Sequence, residues 1–407
     1  MDLSCTFAAQ QIRDQHPVLS INKRIKRQRI LSFKLHSVNF PPATRATVAV
    51  VKPTRFNGTA ELHLRLAEKL FQKVGDLIFG HNRIILISTL TCLGKSVVIH
   101  CDCHIMLSLL DAIRPTTFIE SAKLRDHLGL DVTIASETFQ HTGSFKFRAA
   151  YNLALNVPND EVLTASSGNF GQALAYACKL TGKNCTVVMP ETSAKVKIDA
   201  VRDYGATVDL IDTKKIGRNE RVDQLAAEIP NAYFASPYDD QFVIDGNSTL
   251  GDELAVEDFD VVIAPIGGGG LVSGIITGFH RHMKPTVVYG AEPLLGNDAA
   301  RSLKTGHIVR NETEPITLAD GARTISVGNL NFPIIREGVA DIVEVSEENI
   351  AEAVRLYFGL ANLKCEPTGA LSLGAILERP DEFRGKKICV VVSGGNVDTE
   401  IYRRILE

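Results

Sequence analysis

Four segments of this sequence place residues able to do chemistry on turns that would expose them. Ile266-Gly267-Gly268-Gly269-Gly270-Leu271-Val272-Ser273-Gly274 follows the apolar run Val261 to Ala264 and opens a helical pattern. Successive glycines let backbone N–H groups converge on one anion with no Cβ in the way, and a helix start adds its positive end. A phosphate is the natural occupant. The P-loop is excluded because no Lys-Ser/Thr pair follows, and the dinucleotide fingerprint because its downstream acidic partner is missing. Thr164-Ala165-Ser166-Ser167-Gly168-Asn169-Phe170-Gly171-Gln172 is a second strand end turning into a helix. Its hydroxyls and free N–H groups suit a carboxylate, and Asn169 can donate or accept at a ring substituent. Alone, it is equally a good helix cap.

Lys146 stands in His141-Thr142-Gly143-Ser144-Phe145-Lys146 and is followed by Phe147. A lysine between two phenylalanines carries charge into apolar surroundings. Desolvation lowers its pKa, as a Schiff-base nucleophile requires; a snorkelling lysine at a domain edge is the plainer reading. Cys389-Val390-Val391-Val392-Ser393-Gly394-Gly395-Asn396 delivers one serine from a buried-strand pattern into a Gly-Gly turn. An anion cradle, a lysine and two polar turns together argue for a phosphorylated aldehyde cofactor held by Lys146.

The elements that must position these groups alternate from about residue 110 onward, as parallel βαβ units do. The pattern predicts strands at Val132–Ser136, Val162–Ala165, Cys185–Met189, Thr207–Ile211, Val261–Ile266, Val287–Ala291 and Ile388–Val392. Helices are predicted between them, among them Gln172–Leu180, Lys195–Tyr204 and Ile350–Leu360. In such α/β sheets ligands bind at the carboxyl ends of strands, where all four segments fall. Before residue 110 only Glu61 to Ile78 reads as an amphipathic helix.

The chain has 407 residues, enough for two domains or one large α/β unit, and its 45% hydrophobic and 22% charged residues are those of an ordinary globular protein. A net charge of -3 gives no reason to expect a nucleic-acid or membrane partner. Residues 1 to 105 are basic, with Lys23, Arg24, Lys26, Arg27 and Arg29 clustered, either as a solvated surface or as an import or binding arm. Eight cysteines form no dense disulfide framework, and Cys101-Asp102-Cys103-His104 lacks a second ligand pair at zinc spacing. The apolar stretch from Ile84 is broken by Gly94, Lys95, His100 and Asp102, against a membrane span. A cytoplasmic location is expected, with organelle import through the basic, acid-poor segment left open.

Thr-Gly-Ser-Phe-Lys, Ser-Ser-Gly-Asn-x-Gly-Gln, Gly-Gly-Gly-Gly-Leu, Glu-Pro-Thr-Gly and Ser-Gly-Gly-Asn, in this order from Asp111 to Ile405, resemble the fold-type II pyridoxal-phosphate enzymes. The similarity is greatest to their threonine/serine dehydratase and serine racemase branch. The resemblance implies a fold like that of the tryptophan synthase β chain: two open twisted α/β domains with pyridoxal 5′-phosphate between them. The larger would comprise 106–158 and 240–407, the smaller 159–239, after an extension at 1–105 with no familiar counterpart. It implies that Lys146 holds the cofactor and removes the Cα proton. Gly267, Gly268, Gly269, Gly270 and Leu271 would bind its phosphate; Phe145 and Glu366 would line the pocket. Asn169 would lie beside the phenolic oxygen and Ser393 at the pyridine nitrogen, a neutral partner that favours β-elimination over transamination. Ser166, Ser167, Gly168 and Asn169 would hold the substrate carboxylate, with Ser167 on the face opposite the lysine. Glu292, Gly296 and Asp298 match a divalent-cation site of the family, for Mg²⁺ or Ca²⁺.

The resemblance implies a homodimer that acts on a small amino acid. The expected activity is ammonia-lyase (dehydratase) action on serine, threonine or 3-hydroxyaspartate. Racemization on the same site is the alternative, and β-replacement a further one; a cofactor-binding protein without turnover is the rival from another class. Departures from the family fall where substrate is handled: Phe170 replaces a histidine, Tyr238 stands in Ser236-Pro237-Tyr238-Asp239, and Asp245-Gly246-Asn247-Ser248-Thr249 replaces Gly-Gln-Gly-Thr. Arg218 is a candidate contact for a distal carboxylate. Ending at Glu407, the chain is expected to lack the C-terminal regulatory region of biosynthetic threonine dehydratases.

Overall fold

Apolar runs of five or six residues, too short for buried helices, become the strands of two sheets. The computed structural model describes residues 108–166, 168–193 and 195–407, and the strands β1 (Phe33–Ser37), β2 (Ala49–Pro53), β3 (Arg83–Cys92) and β4 (Lys95–His104). β1 pairs with β2 and β3 with β4, both antiparallel. The stretch from Ile84 is therefore extended rather than helical, and no helix among the described residues is long and apolar enough to cross a membrane. The expected helix at Glu61 to Ile78, the basic cluster and the side chains of Cys101 to His104 lie outside the described residues.

Residues 107–407 form one compact unit. Its larger sheet contains β5 (Thr117–Ile119), β6 (Asp131–Ser136), β11 (Val261–Pro265), β12 (Val287–Pro293), β13 (Val339–Val345) and β14 (Lys387–Val392), in the order β13-β12-β11-β14-β6-β5. All pairings are parallel except β5 with β6. The smaller sheet is wholly parallel: β10 (Tyr233–Phe234), β7 (Glu161–Ala165), β8 (Asn184–Pro190) and β9 (Thr207–Ile211), in that order. All seven predicted strands are present to within two residues. β5, β10 and β13 are additions, the first two too short to show a period and the third interrupted by Asp341 and Glu344.

Side chains alternate across the larger sheet, as a strand requires. Val132, Ile134, Val390 and Val392 face a core built with α11 (Glu347–Ala361) and α12 (Pro367–Glu378). Ala135, Cys389 and Val391 face the opposite core, with α7 (Gln241–Leu254), α8 (Gly270–Arg281), α9 (Asp298–Thr305) and α10 (Asn331–Gly338). Cover on both faces explains why these strands read as continuous apolar runs. The smaller sheet packs on one face against α3 (Lys146–Asn156), α4 (Asn169–Thr181) and α5 (Lys195–Asp203), and on the other against α6 (Arg218–Glu228). Helices α1 (Leu109–Ala112), α2 (Ala122–Leu128) and α13 (Thr399–Leu406) complete the set among the described residues. In α3 every residue from Phe147 to Ala154 is buried, the polar Arg148 and Asn152 among them.

Candidate active site

Lys146 is the first residue of α3, reached from β6 through the tight turn His141–Gly143. That turn is zipped to the end of β14: the Phe145 N–H donates to the Ser393 carbonyl and the Gly395 N–H to the Gly143 carbonyl, each at 3.0 Å. Lysine and serine turns are thus one structure. Lys146 Nζ donates to the Pro237 carbonyl at 2.7 Å. The Phe145 ring lies 4.9 Å from it and the Phe170 ring 5.8 Å. Phe147 turns away, its ring 4.8 Å from that of His141. Burial pushes the Lys146 amine down to about 8, against the opposing pull of Glu366.

The glycine run leaves β11 and starts α8, with Gly269 at φ 93°, a region that favours glycine. At Gly268 an added Cβ would fall 2.1 Å from Cγ of Tyr238, so only glycine lets that ring rest against the loop. The Gly268 carbonyl accepts from Asn331 Nδ2 and from the Gly328 N–H, both at 3.0 Å. Asn331 Nδ2 also donates to the Tyr238 carbonyl at 3.0 Å, tying the 236–239 segment to the loop. Gly268, Gly269, Gly270 and Leu271 are buried. The first N–H groups of α8 have no intrahelical acceptor, which is the provision an anion needs.

Asn169 begins α4 and donates from Nδ2 to both oxygens of Glu366, at 2.9 and 3.1 Å. Glu366 stands just before Pro367 at the start of α12 and is held by its N–H bond to the Gly394 carbonyl, 3.0 Å. Burial raises its carboxyl to about 7, with Asp320 adding to the rise. Ser393 is buried with its Oγ unpartnered, and so is Ser144 Oγ. A buried hydroxyl without a partner costs about 1–3 kcal/mol, so it marks where a ligand atom belongs. Ser166 Oγ accepts from the N–H groups of Gly168 (3.4 Å) and Gly171 (3.2 Å), so it shapes the turn and keeps its own proton to donate. Ser167 lies outside the described residues. An amine of lowered pKa, a cradle that a Cβ would fill and an orphaned hydroxyl fit pyridoxal phosphate.

The family described as pyridoxal-phosphate dependent enzyme matches residues 109–394. This chain belongs to it. An L-threo-3-hydroxyaspartate ammonia-lyase from a Pseudomonas species is 38% identical over 298 residues, 72% of this chain and 93% of that one. A serine racemase of Schizosaccharomyces pombe is 37% identical over 299 residues, covering 72% and 91%. Among solved structures, the threonine deaminase of T.th. shares 40% identity at a TM-score of 0.66, covering 70% and 92%. The chain is a pyridoxal-phosphate enzyme of the ammonia-lyase and racemase type.

Two further expectations for this pyridoxal-phosphate enzyme concern Glu292, Gly296 and Asp298, and Arg218. Glu292 accepts the N–H groups of Ala299 and Ala300, each at 2.9 Å, and so caps α9. Asp298 accepts from the Val327 N–H at 2.7 Å and from Asn311 Nδ2 at 2.9 Å. Both are buried, and Gly296 lies between them in sequence, packed on Pro315. Burial and then Asp298 push Glu292 well up, while burial takes Asp298 to about 6. Among the described residues no group of three His, Cys, Asp or Glu side chains is arranged to hold a metal. The hydrogen bonds alone give both carboxylates a structural duty. Arg218 pairs with Glu314, and its charge acts on the Tyr238 hydroxyl.

Sequence reasoning missed three parts of the site: the Pro237 carbonyl, Asn331 and the linking role of Asn396. A backbone acceptor leaves no trace in residue type, and Asn331 meets the glycine loop across 63 positions. Only Asn396 carried a signal, as the last residue of its motif.

Proposed function

We propose that the enzyme converts a β-hydroxy amino acid to a 2-oxo acid and ammonia by α,β-elimination. The observation that carries this reading is the buried Lys146 amine on a turn bonded to that of Ser393, whose buried hydroxyl is unpartnered; burial lowers the amine to about 8. Pyridoxal phosphate, when bound, supplies an electron sink for charge developing at the substrate Cα. Lys146 Nζ would take the Cα proton, and the glycine loop would anchor the phosphate through backbone amides. Ser393 would offer the ring nitrogen a neutral partner, which suits departure of a β-hydroxyl. Ser166 and the α4 N-terminus would orient the substrate carboxylate. Relatives named as ammonia-lyases of 3-hydroxyaspartate and threonine support the reaction class.

Arg218 supports a substrate with a second carboxylate, which would replace Glu314 as its partner. Racemization on the same site is the second reading, carried by Ser167 in the sequence and by relatives named serine racemase. We further propose a divalent cation at Glu292, Asp298 and the Gly296 carbonyl. It would neutralise two buried carboxylates, Glu292 raised by burial and then by Asp298, and Asp298 raised by burial.

The test is a panel of L-serine, L-threonine and L-threo-3-hydroxyaspartate incubated with purified holoenzyme. Oxo acid and product chirality would be followed, with chelator and with added Mg²⁺ or Ca²⁺. Oxo acid should form, Lys146→Ala should abolish it, Ser167→Ala should remove only racemization, and Arg218→Ala should raise KM for hydroxyaspartate alone. The absence of oxo acid from every member with fully loaded protein would refute the lyase reading. Equal rates with chelator and with metal would refute an activating cation.

A further inference from the structure

Asn396 ends the Ser-Gly-Gly turn after β14 and touches two other site segments. Its Nδ2 donates to the Thr142 carbonyl at 2.7 Å and to Asn169 Oδ1 at 2.8 Å. Asn169 passes the chain on, donating from Nδ2 to the Glu366 carboxylate. A side-chain amide has two ends of similar shape and opposite hydrogen-bonding character, and only its partners decide which end faces where. A main-chain carbonyl can only accept, so the end of Asn396 facing Thr142 must be its NH₂. The Asn169 atom facing that NH₂ must then be oxygen, which directs the Asn169 nitrogen toward Glu366. The polarity is set at Thr142 and transmitted through Asn396.

The anchor is built to hold. Thr142 adopts φ 60°, an uncommon conformation for a threonine. Gly143 approaches so closely that an added Cβ would lie 2.5 Å from Asn396 Oδ1. The Gly395 N–H bond to the Gly143 carbonyl, 3.0 Å, closes the other side of the same junction. Thr142, Gly143 and Asn396 therefore cannot shift independently of the Lys146 turn.

We propose that Asn396 is a positioning residue that fixes the Asn169 carboxamide in the one orientation offering the cofactor ring an N–H donor. The nearly equal distances from Asn169 Nδ2 to the Glu366 oxygens, 2.9 and 3.1 Å, fit one N–H shared by both. The second N–H is then left for a ring oxygen, whose ionised form a donor stabilises. A reversed amide would set oxygen against both Glu366 and the ring. This inference rests on the pyridoxal-phosphate reading of the site.

The test uses holoprotein of the wild type, Asn396→Ala, Asn396→Asp, Asn169→Ala and the double alanine variant. Cofactor affinity is titrated, and the visible absorbance of the bound cofactor is followed against pH. Asn396→Ala should weaken cofactor binding about tenfold in the wild type and change it less than about twofold in the Asn169→Ala background. Asn396→Asp, which substitutes an acceptor for the donor, should move the pH midpoint of the visible band upward by about one unit. Melting temperatures of the apoproteins report folding separately. If Asn396→Asp does not fold, the alanine cycle decides alone. Equal losses of affinity in the two backgrounds, or unaltered affinity in folded Asn396→Ala, would overturn the proposal. Failure of the wild type to bind the cofactor would instead refute the reading on which it rests.

Discussion

A lysine that attacks an aldehyde must be neutral, whereas a free lysine, with a pKa near 10.4, is almost wholly charged at pH 7. Here the conflict is resolved by burial against Phe145 and Phe170, which brings Lys146 to about 8, while Glu366 opposes the change. The sign follows directly. Because burial disfavours the charged form, the neutral fraction grows as pH rises through the folded value. Covalent attachment of the cofactor to apoprotein, followed by absorbance in rapid mixing, should therefore accelerate from pH 6 to 9 and level off with a midpoint near 8. At pH 7 it should run at roughly a tenth of the plateau rate. Glu366→Gln removes the charge that favours the ammonium form, so its midpoint should fall below that of the wild type. A midpoint near 10 would show that the apolar rings do not desolvate the amine. The lysine itself was legible in the sequence, through its phenylalanine neighbours and the three other turns. Its hydrogen bond to a main-chain carbonyl 91 residues away was not, since residue types do not encode backbone acceptors.

Helix α3 is positioned by a charge buried beneath it. Arg148, two residues past Lys146, is fully buried and directs every guanidinium nitrogen to an acceptor. It meets Glu137 through Nε (2.8 Å) and Nη2 (2.9 Å), and Glu253 through Nη1 (2.7 Å). Thr116, Thr249 and the Arg114 carbonyl complete the set. These groups come from the end of β6, the segment before β5, and α7, so the first turn of α3 is pinned to both neighbouring layers. The pairing holds the guanidinium charged, with its pKa raised above the usual value by Glu137 and Glu253 against the pull of burial. Deleting one partner of a buried ion pair leaves the others unpaired, at a cost of about 3–5 kcal/mol. Arg148→Met should lose stability of that order in urea unfolding of the apoprotein, and Arg148→Lys should recover part of it. A loss below about 1 kcal/mol for Arg148→Met would mean that the cost of desolvating these buried charges cancels their attraction. An arginine in an otherwise apolar helix was a visible signal, but its partners are up to 105 positions distant and no local pattern names them. The central strands were legible because cover on both faces leaves unbroken apolar runs. The edges β5, β10 and β13 were not, because length and mixed polarity erase the period.

Every residue of the site lies within 107–407, which is compact on its own account. Among the described residues, four apolar clusters, two on the larger sheet and two on the smaller, give this span a core of its own. The family match at 109–394 falls inside it, and the Pseudomonas ammonia-lyase aligns over 93% of its own length with only 72% of this chain. A domain of about 300 residues buries about three-quarters of the surface its unfolded chain exposes, enough to fold unaided. A fragment of residues 107–407 should therefore unfold cooperatively, melt within about 4 °C of the full chain and bind pyridoxal phosphate with unaltered affinity. Calorimetry of the apoproteins and cofactor titration would check this. A fragment that stays soluble yet loses the cofactor would mean that residues 1–106 contribute to the site itself. One that melts much lower would mean that they cover apolar surface of the catalytic unit. If stability and affinity both hold, the basic cluster from Lys23 to Arg29 has work unrelated to the chemistry at Lys146, and its purpose has to be sought in where the chain goes or what it meets.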